Sequence, residues 1–103
     1  MSATRLEILR TMVEQKPEDA FGRYGLAMEY VRTGDLEAAV AEFEALLAHN
    51  PGYAAGYFHG GQTLEKLGRA DEARALYRQG IAQTRDEHAR GEMQAALDSL
   101  GAG

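Results

Sequence analysis

The chain of 103 residues has no cysteine, only two prolines and no long hydrophobic run. Without cysteine there is no disulfide framework, no thiolate metal site and no cysteine nucleophile, which fits a reducing compartment. Basic clusters are missing too. The eleven Lys and Arg stand singly in a chain of net charge −5. Nonspecific nucleic-acid binding needs clustered cations, and so does a polybasic membrane anchor. The opening MSATRLEILRTMVEQK is broken by charge every few residues, so it forms no signal-peptide core. No apolar stretch nears the ~18 residues of a membrane span. The expectation is a cytoplasmic protein with no nucleic-acid or membrane partner.

Catalytic patterns are equally scarce. No two of His49, His59 and His88 sit at i, i+4, the spacing of a helical two-histidine metal site. Ser2 and Ser99 lie near the termini, outside any strand–turn–helix context. Asp71-Glu72 and Asp86-Glu87 open predicted helices, where carboxylates suit the positive end of the helix dipole. YAAGYFHGG, residues 53–61, has the look of a ligand loop. Gly56 and Gly61 have Walker spacing, but Gln62 stands where the phosphate-holding lysine is required. The glycines are also spaced by four, as in lipid-embedded helix pairs, yet His59 and the charged flanks exclude a span. No enzyme, cofactor or metal is expected.

What is present is helix-forming sequence. Hydrophobic residues make up 45% and charged residues 26%, a globular composition for one domain. No stretch alternates apolar with polar over strand length. Pro17, Gly34, Pro51 and Gly68 cut the chain into pieces of about seventeen residues, each a short helix plus a turn. Both the prolines and the glycines are 34 apart. Sliding residues 17–50 onto 51–84 matches Pro17/Pro51, Ala20/Ala54, Gly22/Gly56, Gly34/Gly68, Ala39/Ala73, Ala41/Ala75 and Ala48/Ala82. Tyr24/Phe58, Arg32/Lys66, Phe43/Tyr77 and Leu47/Ile81 are similar pairs.

A helix–turn–helix period of 34 residues resembles the tetratricopeptide repeat. In the first copy the motif reads Arg23, Leu26-Ala27, Tyr30, Ala39, Phe43, Pro51; in the second, Tyr57, Gly60-Gly61, Leu64, Ala73, Tyr77, Arg85. Arg23, Gly60, Leu64 and Arg85 depart from it. Residues 4–15 match the second helix of a preceding repeat, with Leu9 on Phe43 and Val13 on Leu47. The resemblance implies an all-α, right-handed helix–turn–helix solenoid of six helices in B-A-B-A-B-A order. Its parts are a half repeat (1–16), two repeats (17–50 and 51–84), a capping helix (85–100) and a tail (101–103). Thr4 with Glu7, and Thr84 with Glu87, have capping-box spacing. Asn50 and Pro51 read as the cap and first turn of a helix over 52–67.

In that family the first helix of each repeat lines a concave groove for peptides or partner helices. Carried over residue by residue, the groove is Phe21, Tyr24, Met28 and Arg32, then Phe58, Gln62 and Lys66, with Tyr24 stacked on Phe58 one layer apart. The cochaperone clamp for chaperone carboxylates is unmatched, because its positions hold Tyr24, Met28, His59, Ala89 and Met93. The implied function is noncatalytic binding of an unidentified protein or peptide. An alternative is a homodimer through the N-terminal helix, where Leu6, Ile8, Leu9, Met12 and Val13 span an arc of about 160°, wider than one neighbour needs. Gly61 sits where the repeat wants a small residue. Gly60 replaces a leucine, which predicts a small void or a closer helix contact behind Phe58 and His59.

Overall fold

The computed structural model describes residues 3–101, so Met1, Ser2 and the Ala102-Gly103 end of the expected tail lie outside the described residues. The described residues form six successive helices: α1 (Arg5–Gln15), α2 (Ala20–Thr33), α3 (Leu36–His49), α4 (Ala54–Lys66), α5 (Ala70–Gln83) and α6 (Glu87–Leu100). There is no strand among the described residues. Each helix has at most fourteen residues, too short to persist alone in water, so each depends on the apolar face it buries. Every helix packs on the next, and α4 also touches α6. Helices α2, α4 and α6 therefore form one layer and α1, α3 and α5 the other, in a body of 49 × 27 × 19 Å. The B-A-B-A-B-A solenoid expected from the repeat is the observed architecture.

The turns follow from local chemistry. Gly34 and Gly68 end α2 and α4 at φ 85° and 77°, a region that side chains with a Cβ avoid. After each, a backbone N–H reaches back: Asp35 to the Tyr30 carbonyl, Arg69 to the Leu64 carbonyl, both at 2.9 Å. The Thr4–Glu7 capping box forms in full. The other expected caps are corrected. The N-cap of α6 is Asp86, which accepts from the Ala89 N–H at 3.1 Å, while Thr84 accepts from the Asp86 N–H at 3.2 Å and so shapes the turn before it. Thr84 is taken up as the C-cap of α5, in extended backbone, so α6 begins two residues later with Asp86 as its cap. Asn50 ends α3 instead of opening α4, donating its side-chain amide to the Leu46 carbonyl. The α4 helix starts at Ala54 with no side-chain cap, and the Tyr57 hydroxyl holds the loop by donating to the Pro51 carbonyl at 2.7 Å.

The core runs through the stack in continuous layers. Leu9, Val13 and Leu26 form the N-terminal one; Ala27, Ala39, Phe43 and Leu46 the next; Tyr57, Leu64, Ala73, Tyr77 and Met93 the last. Ala39 and Ala73 are fully buried, so helices meet closely there, and Phe43 and Tyr77, one turn on, fill the space between layers. Close approach also explains three helical glycines. A Cβ on Gly61 would lie 2.2 Å from the Tyr77 ring, on Gly56 2.9 Å from Leu47, and on Gly60 2.9 Å from Leu76. Of the two alternatives foreseen at Gly60, the closer helix contact occurs: Leu76 leans into the missing volume. The nearby open cavity of about 440 Å³ lies between α3 and α5, with Glu44, Glu72 and Gln79 among its lining, and is not a small void behind Phe58 and His59.

Candidate functional site

The seven residues of the expected groove lie on the inner layer and divide into two groups. Phe21, Tyr24, Met28 and Arg32 from α2 line one cavity of about 480 Å³ with Arg5, Leu9 and Met12 of α1. Phe21, in the first turn of α2, is 76% exposed. Tyr24 and Met28 are half-buried and Arg32 is exposed. Phe58, Gln62 and Lys66 lie one repeat further, outside that cavity; Phe58 is half-buried and the other two are exposed.

Between the groups stands His59, which sequence reasoning weighed as a metal ligand and as an unmatched clamp position but not as part of the groove. Its ring is 5.9 Å from Tyr24 and 5.4 Å from Phe58, edge-on to the latter. Tyr24 also meets Phe43 at 6.5 Å and Tyr53 at 5.6 Å, and Phe58 meets Tyr77 at 6.4 Å. Tyr24 therefore reaches Phe58 through the imidazole, not by direct stacking. The signal for His59 was available in its place beside Phe58 on a helix rich in glycine, where any ring spreads over the space its neighbours leave. Burial pushes the His59 pKa down, and Lys66 adds to this; a hydrogen bond with Gln62 and the carboxylate of Glu92 oppose it. The ring is thus held neutral near pH 7. Burial, then the neighbouring Tyr53, raises the Tyr24 pKa.

At the N-terminal end the electrostatics are fixed by a buried carboxylate. The Glu29 side chain is 3% exposed and bridges Arg32 at 2.6 Å and Arg5 at 3.5 Å. The Arg32 hydrogen bond holds Glu29 below the usual carboxylate range, with the charges of Arg32 and Arg5 adding to it. The Arg32 and Arg5 side chains themselves stay 68% and 69% exposed, on the rim of the cavity. Of the residues expected to self-associate, Leu9 is buried against Val13 and Leu26, and Leu6 is half-buried. Ile8 and Met12 are exposed.

In α6, the repeat register would place Ala89, Ala96 and Leu100 on the groove. All three instead pack on the core, leaving Gly91, Gln94 and Asp98 exposed. The α6 end is tied down from α5: Arg74 donates to the carbonyls of Leu100 and Gly101, each at 3.2 Å, and to Asp71 at 2.7 Å. Sequence reasoning missed this arginine. Among the described residues no three His, Asp or Glu side chains gather as a metal-holding group, and no helix is long and apolar enough to cross a membrane.

Comparison with known proteins bears on what this surface serves. A family model described as tetratricopeptide repeat matches residues 24–88. The TPR repeat-containing protein PA0015 of Pseudomonas aeruginosa is 30% identical over 98 residues, covering 92% of this chain and 93% of that protein. The solution structure of a tetratricopeptide repeat domain protein from Salinibacter ruber is 35% identical, with a TM-score of 0.77 over 84% of this chain and 90% of its own. The protein BPP2914 from Bordetella parapertussis is 25% identical, with a TM-score of 0.79 over 96% and 89% of the two chains.

Proposed function

The chain belongs to the tetratricopeptide-repeat family, and we propose that within it this chain is a noncatalytic, cytoplasmic interaction module that holds a peptide or helix along its inner layer. One observation carries the reading. A large aromatic side chain, Phe21, projects into solvent beside a cavity lined by Tyr24, Met28 and Arg32, on a helix whose other apolar residues are mostly packed. Aromatic, methionine and arginine side chains are the types that anchor partners, since each brings much contact area with a polarisable or cationic end. Gln62 and Lys66 extend the same layer with polar groups one repeat away.

The ring row Tyr24–His59–Phe58 supports this surface from behind, so truncating Tyr24 or Phe58 would damage packing as well as recognition. The clean test uses exposed positions. Phe21→Ala with Lys66→Glu should leave the helical circular dichroism and melting temperature unchanged while abolishing capture of the protein's partner from native lysate. Unchanged capture by the folded double variant would refute the inner-layer assignment.

A further inference from the structure

The outer layer has a concavity of its own, on the side away from the expected groove. It is the open cavity of about 440 Å³ with α3 and α5 as walls and α4 beneath them. The α4 residues in it, Gly60 and Leu64, are buried, and Phe43 and Leu47 of α3 join them in the floor. Its exposed lining residues all belong to α3 and α5, so the mouth opens on the outer layer. The repeat explains why space is left here. One layer earlier Leu26 and Tyr30 stand where Gly60 and Leu64 do, and Leu26 packs on Leu9 and Val13, the counterparts of Phe43 and Leu47. In the second repeat Leu76 covers Gly60, but above it the walls present Ala48 and Ala75, whose small side chains leave the gap open.

The floor is apolar and the rim is acidic. Glu44 stands on the α3 wall and Glu72 on the α5 wall, and no Lys, Arg or His lines the cavity. Helix α3 contains no Lys or Arg, and His49 in its last turn is bonded to the Ala45 carbonyl at 3.0 Å. Arg74 and Arg78 of α5 serve the α6 side. One cation is close: Arg69 pairs with Glu72 at 2.6 Å and with Glu37 at 3.0 Å. Glu44 pairs with no cation among the described residues. Glu37, Glu44 and Glu72 against Arg69 alone leave an excess of two negative charges.

We propose that this outer cavity docks a short basic and apolar segment of a partner protein. One large apolar side chain sits on Phe43, Leu47 and Leu64. The lysines or arginines beside it lay their aliphatic stems along the walls and bring their charged ends to the Glu44 and Glu72 rim. The floor demands the apolar anchor, and the excess negative charge sets the sign of its flanks. The walls run from Val40 to Ala48 and from Glu72 to Gln79. That is about two helical turns, or ~12 Å, the reach of about four residues of extended chain. The site faces away from the inner layer, so one molecule can hold a partner on each side.

The probe is the peptide acetyl-Ala-Lys-Phe-Arg-Ala-amide, with a twin carrying glutamate in place of its lysine and arginine. Amide NMR of the whole protein should show saturable shifts in α3 and α5 with the basic peptide and none with the acidic one. Glu44→Arg gives α3 the residue that α1 has at the equivalent position, Arg10, and should weaken binding at least about tenfold. Ala75→Trp, which closes the mouth, should abolish binding while the helical circular dichroism is kept. Phe21→Ala with Lys66→Glu, the test of the inner layer, should leave it unchanged, so the two readings fail separately. Absence of shifts up to about 1 mM peptide overturns the proposal, as do shifts confined to α2 and α4 or binding indifferent to Glu44→Arg. Equal affinity for 4-phenylbutylamine overturns it in favour of a small organic cation. Self-association of the protein alone, abolished by Glu44→Arg, overturns it in favour of a second copy.

Discussion

The two complete repeats share a backbone path but place their volume on opposite helices. In the first, α2 brings Leu26, and position 42 of α3 is a glutamate paired with Arg23. In the second, α4 has Gly60 where the leucine was, and α5 brings Leu76 into the gap. The reversal continues at the next contact. Between α3 and α4 the large side chains, Leu46 and Leu47, come from α3 and press on Gly56. Between α5 and α6 the small residue, Gly80, is on α5 and the large one, Met93, comes from α6. Each interface requires one knob and one hole at close-packed density, whichever helix supplies them. A repeat motif read one position at a time misses this, because the complement of an anomaly sits on the partner helix.

The sharpest way to break the comparison is at Gly61 and Ala27, equivalent positions facing Tyr77 and Phe43. Ala27 carries its Cβ beside Phe43, but Gly61 has no room for one. Tyr77 cannot swing aside, since it is fully buried and its hydroxyl donates to Glu65. Helix propensity alone would favour alanine by ~1 kcal/mol. Overpacking opposes this, and Gly61→Ala should destabilise by about 2–3 kcal/mol net, lowering the melting temperature by roughly 10 °C. The reciprocal Ala27→Gly should cost only ~1 kcal/mol. Equal effects at the two sites would mean that the repeats pack alike.

Gly60 and Leu76 test whether volume can be exchanged across the helix pair. Gly60→Leu should cost about 2 kcal/mol through collision with Leu76, and Leu76→Ala a similar amount through lost contact. Together they restore the first repeat's arrangement of a leucine on the inner helix. The double variant should then be more stable than the sum of its parts by ~1–2 kcal/mol in denaturant melts. Strict additivity would show that the two side chains do not share one space.

The architecture was legible because punctuation obeys local rules. Gly34 and Gly68 must adopt positive φ, and Ala39, Phe43, Ala73 and Tyr77 keep the helical spacing that buries one face. The caps were less so. Thr84 and Asp86 are both good cap residues two apart, and only the packing of α6 on α5 decides between them. The inner surface was legible as a set of side chains on one layer but not in its grouping. His59 inserts between Tyr24 and Phe58 because of the distance between layers, which no single helix encodes. The exposed face of α1 was visible as a surplus apolar arc. Which of its residues stay exposed depends on α2, which buries Leu9 and leaves Ile8 and Met12.

A smaller difference between the repeats lies at Val40 and Arg74. Val40 packs in the core, while its counterpart reaches out to the last carbonyls of α6. A guanidinium there satisfies acceptors that the helix end leaves free and lies favourably in the helix dipole. Arg74→Ala should cost about 1.5 kcal/mol and selectively speed amide exchange in the last turn of α6. Uniform acceleration across all helices would mean that the arginine supports the core generally and does not pin the cap.

The least change is expected from His59, whose counterpart in the first repeat is Gly25, where Leu9 approaches within 3.2 Å of a would-be Cβ. One repeat fills this place with an aliphatic side chain from the outer layer, the other with an ionisable ring. Burial depresses the folded-state pKa of His59 below its ordinary value of about 6.5. The unfolded chain therefore takes up the proton first as pH falls. The stabilising contribution is complete above about pH 6.5, is lost as pH falls from there through the folded-state value, and stays flat below it. Glu29 and Glu72, held low by their arginine partners, lose their contributions only in the more acidic carboxylate range. Thermal melts between about pH 7 and 5.5 should show this decline. His59→Gln should remove the slope in that window while keeping a polar side chain between Tyr24 and Phe58. An unaltered slope in the variant would place the titrating group elsewhere and leave His59 as a purely steric spacer between the layers.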